Sequence, residues 1–369
     1  MGEGGGQKEG GEGSMITFLA FLFVLGALIL VHELGHFALA KALRIKVLTF
    51  SFGFGPKILK GRRGETEYAL SLLPLGGYVK MLGEEPDEEI PHEERDRSFT
   101  HRPLWQRALV VAAGPFSNLL FSSLIFALLL YAGVPRLLPV IGGVVKGYPA
   151  HQAGLREGDR ILSIDGQRIL YWEDLLEIIP KSGGRPLRFV IERQGRVFSL
   201  LIAPRAARAK NIFGEEVQFY QIGVTPRGDA TTVRHPPLES IGLGFKQTLA
   251  VSELVIASIY KILKGVISAK AVGGPIMIAQ LAGKEARKGI QRLLSFTAIV
   301  SVNLGLLNLF PIPILDGGHL ALFGLQAIIR RPLDPRKLEV VQKIGLMLIV
   351  AIMLLAFYND ILRIWGTGR

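Results

Sequence analysis

The chain alternates between long apolar runs and polar stretches. An unbroken apolar run extends from Met15 to Val31, and its surroundings predict a helix over Ile16 to Ala40. Comparable runs predict spans at Ala108 to Tyr131, Leu293 to Leu315 and Val340 to Trp365. Each is near the ~20 residues that a helix needs to cross a hydrocarbon core of ~30 Å. The first is too long for a cleaved leader and carries polar residues at its end. Four such spans predict a multi-pass α-helical membrane protein.

The polar stretches have patterns of their own. Between Leu43 and Pro103 the residues suit strands and turns, with Tyr68 to Leu73 and Tyr78 to Leu82 flanking the turn residues Pro74 to Gly77. This predicts a membrane-associated β-hairpin whose edge could pair with an extended segment, or an ordinary hairpin. From Pro139 to Pro226 the apolar character falls and short strands surround a helical stretch from Glu173 to Ile179. Pro237 to Ala269 has apolar residues at helical spacing interrupted by Lys246, Glu253, Lys261 and Lys264, which predicts an amphipathic helix at the membrane interface.

Composition sharpens this picture. Hydrophobic residues make up 49% of the 369, which is too apolar for an ordinary soluble protein. The formal charge of +12 lies beside the spans rather than in one basic tract, so it reads as membrane-flanking charge, with the bilayer as partner and not nucleic acid. Lys41, Arg44, Lys46, Arg102 and Arg107 between the first two spans, and Arg330, Arg331, Arg336 and Lys337 between the last two, put those loops on the cytoplasmic side. The long middle segment is then extracytoplasmic. Residues 2–14 are Gly and Glu rich and predict a disordered tail or tag. With no cysteine, His, Asp and Glu are the strong candidate ligands.

The first span ends in His32-Glu33-Leu34-Gly35-His36. HExxH on a helix stacks its histidines on one face, where both imidazoles reach one zinc ion. Ionisable groups inside a span are costly and point to function. Catalytic zinc takes a third protein ligand, and the strongest candidate is Asp316, in Asn308-Leu309-Phe310-Pro311-Ile312-Pro313-Ile314-Leu315-Asp316-Gly317-Gly318. His319 is a weaker rival, and Asp316 could instead be a turn residue. Pro311 and Pro313 break the helix, and irregular backbone at membrane depth belongs where it lines a cavity. The Gly114-Pro115 pair with Asn118 predicts close packing of the second span rather than a part in chemistry.

Two resemblances follow. The segment from Val140 through Gly154 to Ile164, the helix after it, Leu187 to Ile202 and Tyr220 to Val224 resemble one circularly permuted PDZ domain, whose Ile222 and Gly223 would then influence substrate choice. HELGH, Gly114-Pro115-Phe116-Ser117-Asn118 and the NxxPxPxLDG run, in that order around such a domain, are similar to the site-2 protease family of intramembrane zinc metalloproteases, in its bacterial regulator-of-sigma-E protease form. Ser51 to Pro56 and Val272 to Pro275 match its pattern as well. The resemblance implies His32, His36 and Asp316 as zinc ligands, Glu33 as catalytic base and Asn308 as a contact to the substrate backbone. It also implies a bacterial inner-membrane endopeptidase that cleaves single-pass membrane proteins of the anti-sigma factor type or remnant signal peptides. A peptide or C-terminus would be its partner at the PDZ domain. The chain departs from the best-known members in having one recognisable PDZ domain where they have two.

The reading divides the chain into 1–14 (tail), 15–134 (two spans and the β region), 135–228 (PDZ-like domain), 229–292 (amphipathic connector) and 293–369 (two spans). A non-catalytic membrane adaptor is the alternative.

Overall fold

The computed structural model describes residues 6–84, 88–211, 214–331 and 334–366. In chain order these form α1 (Gly6–Ala42), β1 (Val47–Arg63), β2 (Thr66–Met81), α2 (Leu104–Ala132), β3 (Val134–Leu137), β4 (Ile141–Val144) and α3 (Pro149–Gln152). Next come β5 (Arg160–Ile164), β6 (Gln167–Arg168), α4 (Trp172–Lys181), β7 (Leu187–Arg193), β8 (Arg196–Ile202), β9 (Arg205–Lys210), β10 (Glu216–Gln221), β11 (Val224–Pro226) and β12 (Ala230–Val233). The chain ends with α5 (Pro237–Leu263), α6 (Pro275–Arg287), α7 (Ile290–Asn308), α8 (Asp316–Ile329) and α9 (Pro335–Gly366).

Two compact units result, one of residues 1–128, 238–259 and 268–369, the other of residues 129–237 and 260–267. Among the described residues, four helical segments are long and apolar enough to cross a membrane: Gly13–Ala42, Leu104–Ala132, Ile290–Asn308 and Leu338–Trp365. They fall on the predicted spans. The third stops at Asn308 rather than Leu315, because Pro311 and Pro313 remove backbone donors just beyond it. An additional apolar helix, α8, follows where sequence suggested only a connection. Its 14 residues span about 21 Å, short of a bilayer core.

Of the segment read as a disordered tail, residues 6–14 continue α1, with the Thr17 hydroxyl donating to the Gly13 carbonyl at 2.9 Å. Residues 1–5 lie outside the described residues.

The β region differs from a simple hairpin. Thr49, Phe50, Ser51 and Phe52 pair with Lys80, Val79, Tyr78 and Gly77 on one side and with Glu67, Tyr68, Ala69 and Leu70 on the other. The two stretches expected to pair with each other are therefore separated by the first half of β1, while its second half pairs with Thr66 to Ser71. Residues 77–81 form an edge of this sheet. Phe50, Val79 and Met81 pack its face onto Ala40, Val110 and Phe323.

Helix α6 packs on α1 through Ala282 against Ala20, Val24 and Leu28. Its start is held from α9: the Asp360 carboxylate, 2% exposed, accepts the backbone N–H groups of Gly274, Ile276 and Met277 at 3.0, 3.0 and 3.1 Å. A helix N-terminus leaves such donors without partners, and a carboxylate there gains from the helix dipole as well. Asp360→Ala should cost about 2–3 kcal/mol, read as a lowered melting point in detergent; an unchanged melt would mean that water replaces the carboxylate without loss.

Helix α5 turns a stripe of small residues inward. Its buried residues are Ser240, Gly244, Thr248 and Ser252, one every fourth position. Ser123 of α2 donates to Thr248 at 3.0 Å, and a Cβ on Gly244 would lie 2.5 Å from the Ser123 carbonyl oxygen. The apolar side, with Leu238, Ile241, Phe245 and Leu249, is exposed. Small polar residues at a close helix contact with apolar residues outward is the pattern of helices packed in lipid.

The second unit has a four-stranded antiparallel sheet in the order β6-β5-β7-β8, and β11 pairs with β4. Its core joins Ile141, Ile161, Ile164, Leu175, Leu187, Phe189, Ile191 and Ile222. Burying each such side chain contributes about 1.5–3 kcal/mol. Ile222 is 2% exposed, so its side chain belongs to this core and is not free to touch a peptide. Asp165 and Gly166 form the β5–β6 turn with φ of 50° and 84°, the Asp-Gly pairing that tight hairpins favour. The Asp165 carboxylate accepts the Arg188 backbone N–H and pairs with Arg185, which holds its pKa below the usual range.

Candidate metal centre

The first helix supplies two donors by its periodicity. His32 and His36 lie one turn apart, with their Nε2 atoms 3.2 Å from each other. Asp316 is the first residue of α8 and brings Oδ2 to 3.1 Å from His32 Nε2 and Oδ1 to 3.6 Å from His36 Nε2. Ligands about 2.05 Å from a tetrahedral cation are separated by about 3.3 Å. The donor triangle therefore fits zinc in size, and imidazole with carboxylate fits it in kind.

The backbone that delivers Asp316 is tightly folded. Residues 309–315 turn back on the start of α8, where a Cβ on Gly317 would lie 2.3 Å from the Leu309 carbonyl oxygen and one on Gly318 2.3 Å from that of Ile312. Only glycine permits this approach. Ile314 has φ of 85°, which for a β-branched residue is strained, and such strain collects at functional sites. The Arg107 guanidinium lies 4.5 Å from the ring centroid of Phe323 and 5.3 Å from that of Phe99, clasping α8 beside the β region.

The histidines are oriented from α2. His36 Nδ1 donates to the Val110 carbonyl at 2.8 Å. A carbonyl oxygen can only accept, so Nδ1 carries the proton and Nε2 presents its lone pair to the centre. Gly114 faces the imidazoles directly: a Cβ there would lie 2.2 Å from His36 Nε2 and 2.9 Å from His32 Cε1. Gly35 makes the reciprocal approach, its missing Cβ 2.4 Å from the Ala113 carbonyl oxygen. The packing expected of the Gly-Pro pair is present, but the segment also touches the centre, because the Asn118 side chain lies 3.2 Å from His32 Nδ1. Sequence reasoning missed that contact, although a lone Asn within an apolar span is itself a signal.

Glu33 leaves the same turn of α1, and its Cγ would be 2.9 Å from a Cβ on Gly77. The edge segment of the β region thus runs beside this carboxylate. Asn308 closes α7, half-buried. It continues the face of Ser301, whose hydroxyl donates to the Asn118 carbonyl at 2.7 Å, and of Gly305, whose Cβ would be 2.9 Å from the Pro115 carbonyl oxygen. His319 lies one turn beyond Asp316, its ring centroid 6.5 Å from that of Phe323, outside the donor triangle.

Comparison with known proteins agrees with this geometry. Residues 20–352 match the model of Peptidase family M50. A Campylobacter jejuni protein is 37% identical over 352 residues, covering 95% of each chain. One from Rhizobium meliloti is 37% identical over 365 residues, covering 95% of this chain and 97% of its own. Both carry names that propose a zinc metalloprotease. Zinc metalloprotease RasP of Geobacillus kaustophilus is 31% identical over 420 residues, covering 94% of this chain and 97% of its own. A helical His-Glu-x-x-His pair completed by a distant carboxylate, among membrane-length helices, defines a metalloprotease of the membrane-embedded class. The chain belongs to peptidase family M50, the site-2 protease family.

Proposed function

We propose that this chain is a zinc-dependent endopeptidase that cuts transmembrane segments of single-pass membrane proteins within the bilayer. The observation that carries the reading is the convergence of His32, His36 and Asp316 at 3.1–3.6 Å, among helices apolar enough to sit in lipid. These three residues would hold the zinc. When bound, zinc supplies Lewis acidity that makes a water molecule nucleophilic near neutral pH and polarises the scissile carbonyl. Glu33 takes the proton from that water and passes it to the leaving amine. Asn308 contacts the substrate backbone.

A helical substrate hides its amides in its own hydrogen bonds, so a few residues must unwind first. The edge segment 77–81, running past Glu33, offers backbone groups to pair with the extended stretch. The second unit acts as a PDZ domain on the extracytoplasmic side. Val224 of β11 packs on the same apolar cluster as Leu175 and Ile179 of α4, which supports a peptide groove beside them. A trimmed peptide end binds there, in an anti-sigma factor-like protein or a remnant signal peptide of a bacterial inner membrane.

The test is metal-dependent cleavage. Purified protein should carry one zinc per chain and cut a model single-pass substrate in proteoliposomes. Chelation should abolish cutting, and added zinc should restore it. Cleavage that survives complete removal of metal would end this reading, and a metal-free protein that still recruits membrane partners would identify an adaptor.

A further inference from the structure

Asn118 is wholly buried in α2, and its side chain is half satisfied. One end of the amide, drawn as nitrogen, lies 3.2 Å from His32 Nδ1. The other end, Oδ1, is buried without a hydrogen-bond partner among the described residues. The two ends of an amide differ little in size, and which is which follows from the hydrogen-bond network.

The chemistry of the neighbours decides the orientation. At His36 the Val110 carbonyl fixes the proton on Nδ1 and leaves Nε2 with its lone pair. His32 Nε2 occupies the equivalent corner of the donor triangle and needs its lone pair there too, so His32 Nδ1 must carry the proton and needs an acceptor. An amide nitrogen cannot accept. A half-turn of the Asn118 amide brings Oδ1, otherwise partnerless, to that position.

We propose that Asn118 is a positioning residue for the metal centre: its side-chain carbonyl accepts the Nδ1–H of His32 and fixes the tautomer that binds the cation. The assignment rests on the zinc reading of the centre. Its own support is secure, because Ser301 donates to the Asn118 backbone carbonyl at 2.7 Å and Gly305 leaves room for its Cβ, with 3.4 Å to a Cβ placed on the glycine. Helix α7 thereby seats the residue that seats the first histidine.

The experiment compares full-length wild type, Asn118→Leu and Asn118→Asp in detergent. Zinc affinity is read by competition with a chromophoric chelator, and coordination by the visible absorption of the Co²⁺-loaded forms. Asn118→Leu fills the space without an acceptor and should lose about 10–100-fold in zinc affinity with an altered Co²⁺ spectrum. Asn118→Asp keeps an acceptor and should bind zinc at least as tightly as wild type. If the leucine variant does not survive purification, Asn118→Ala carries the same expectation. Undiminished zinc affinity in the variant lacking an acceptor would overturn the assignment, as would an equal loss in Asn118→Asp melting like wild type. Failure of wild type to take up zinc would overturn the centre and the assignment together; wild-type uptake with an indifferent Asn118→Leu overturns the assignment alone.

Discussion

Glu33→Gln should abolish peptide-bond cleavage and leave zinc binding intact. Glutamine has the shape of glutamate but cannot take a proton from water, and a positioned general base is worth about 10²–10⁴ in rate. Its side chain is not one of the three donors that face each other at 3.1–3.6 Å, so the metal should stay. The missing Cβ of Gly77 leaves space for the Glu33 stem, which an isosteric amide fills equally well. Single-turnover cleavage of a model transmembrane substrate should fall by about 10²–10⁴-fold, with one zinc per chain and an unchanged melt. A variant that still cuts at more than about a tenth of the wild-type rate would remove Glu33 from the mechanism.

The second large effect comes from a residue with no functional group. In Gly114→Ala the new methyl would lie 2.2 Å from His36 Nε2 and 2.5 Å from its Cε1, far inside contact and on the side where the ring presents its lone pair. The imidazole must swing away, breaking its bond to the Val110 carbonyl. Zinc affinity should drop about 100-fold or more, and cleavage should vanish. Alanine favours helix by about 1 kcal/mol over glycine, which offsets part of the cost of the displaced ring. A control is available in Gly242→Ala, where a Cβ meets nothing within 4 Å, and zinc binding should be untouched. If Gly114→Ala holds zinc as wild type does, α2 does not press on the histidines as described.

Much of this site was legible before the fold, and the reason is periodicity. His32 and His36 share a face by helical geometry alone, and the four membrane-length helices follow from unbroken apolar runs. Asp316 stood out because two prolines and a carboxylate in apolar sequence are hard to explain otherwise. What sequence did not convey were contacts between elements far apart in the chain. The contact of Asn118 with His32 needs the crossing of α1 and α2, and the cap that Asp360 places on α6 joins residues more than eighty positions apart. The sheet misled for a related reason. Tyr68 to Leu73 and Tyr78 to Leu82 have hairpin spacing, yet Thr49 to Phe52 slips between them, since strand order depends on which apolar faces meet the helices. The inward stripe of small residues on α5 was similarly hidden, because which side of a helix meets a neighbour depends on elements distant in the chain.

The carboxylate of the donor trio sits on the eighth helix, and both imidazoles sit on the first. During synthesis the carboxylate therefore leaves the ribosome 280 positions after the second imidazole, and only then can the three donors meet. Until that late closure a half-made chain lacks one corner of the donor set.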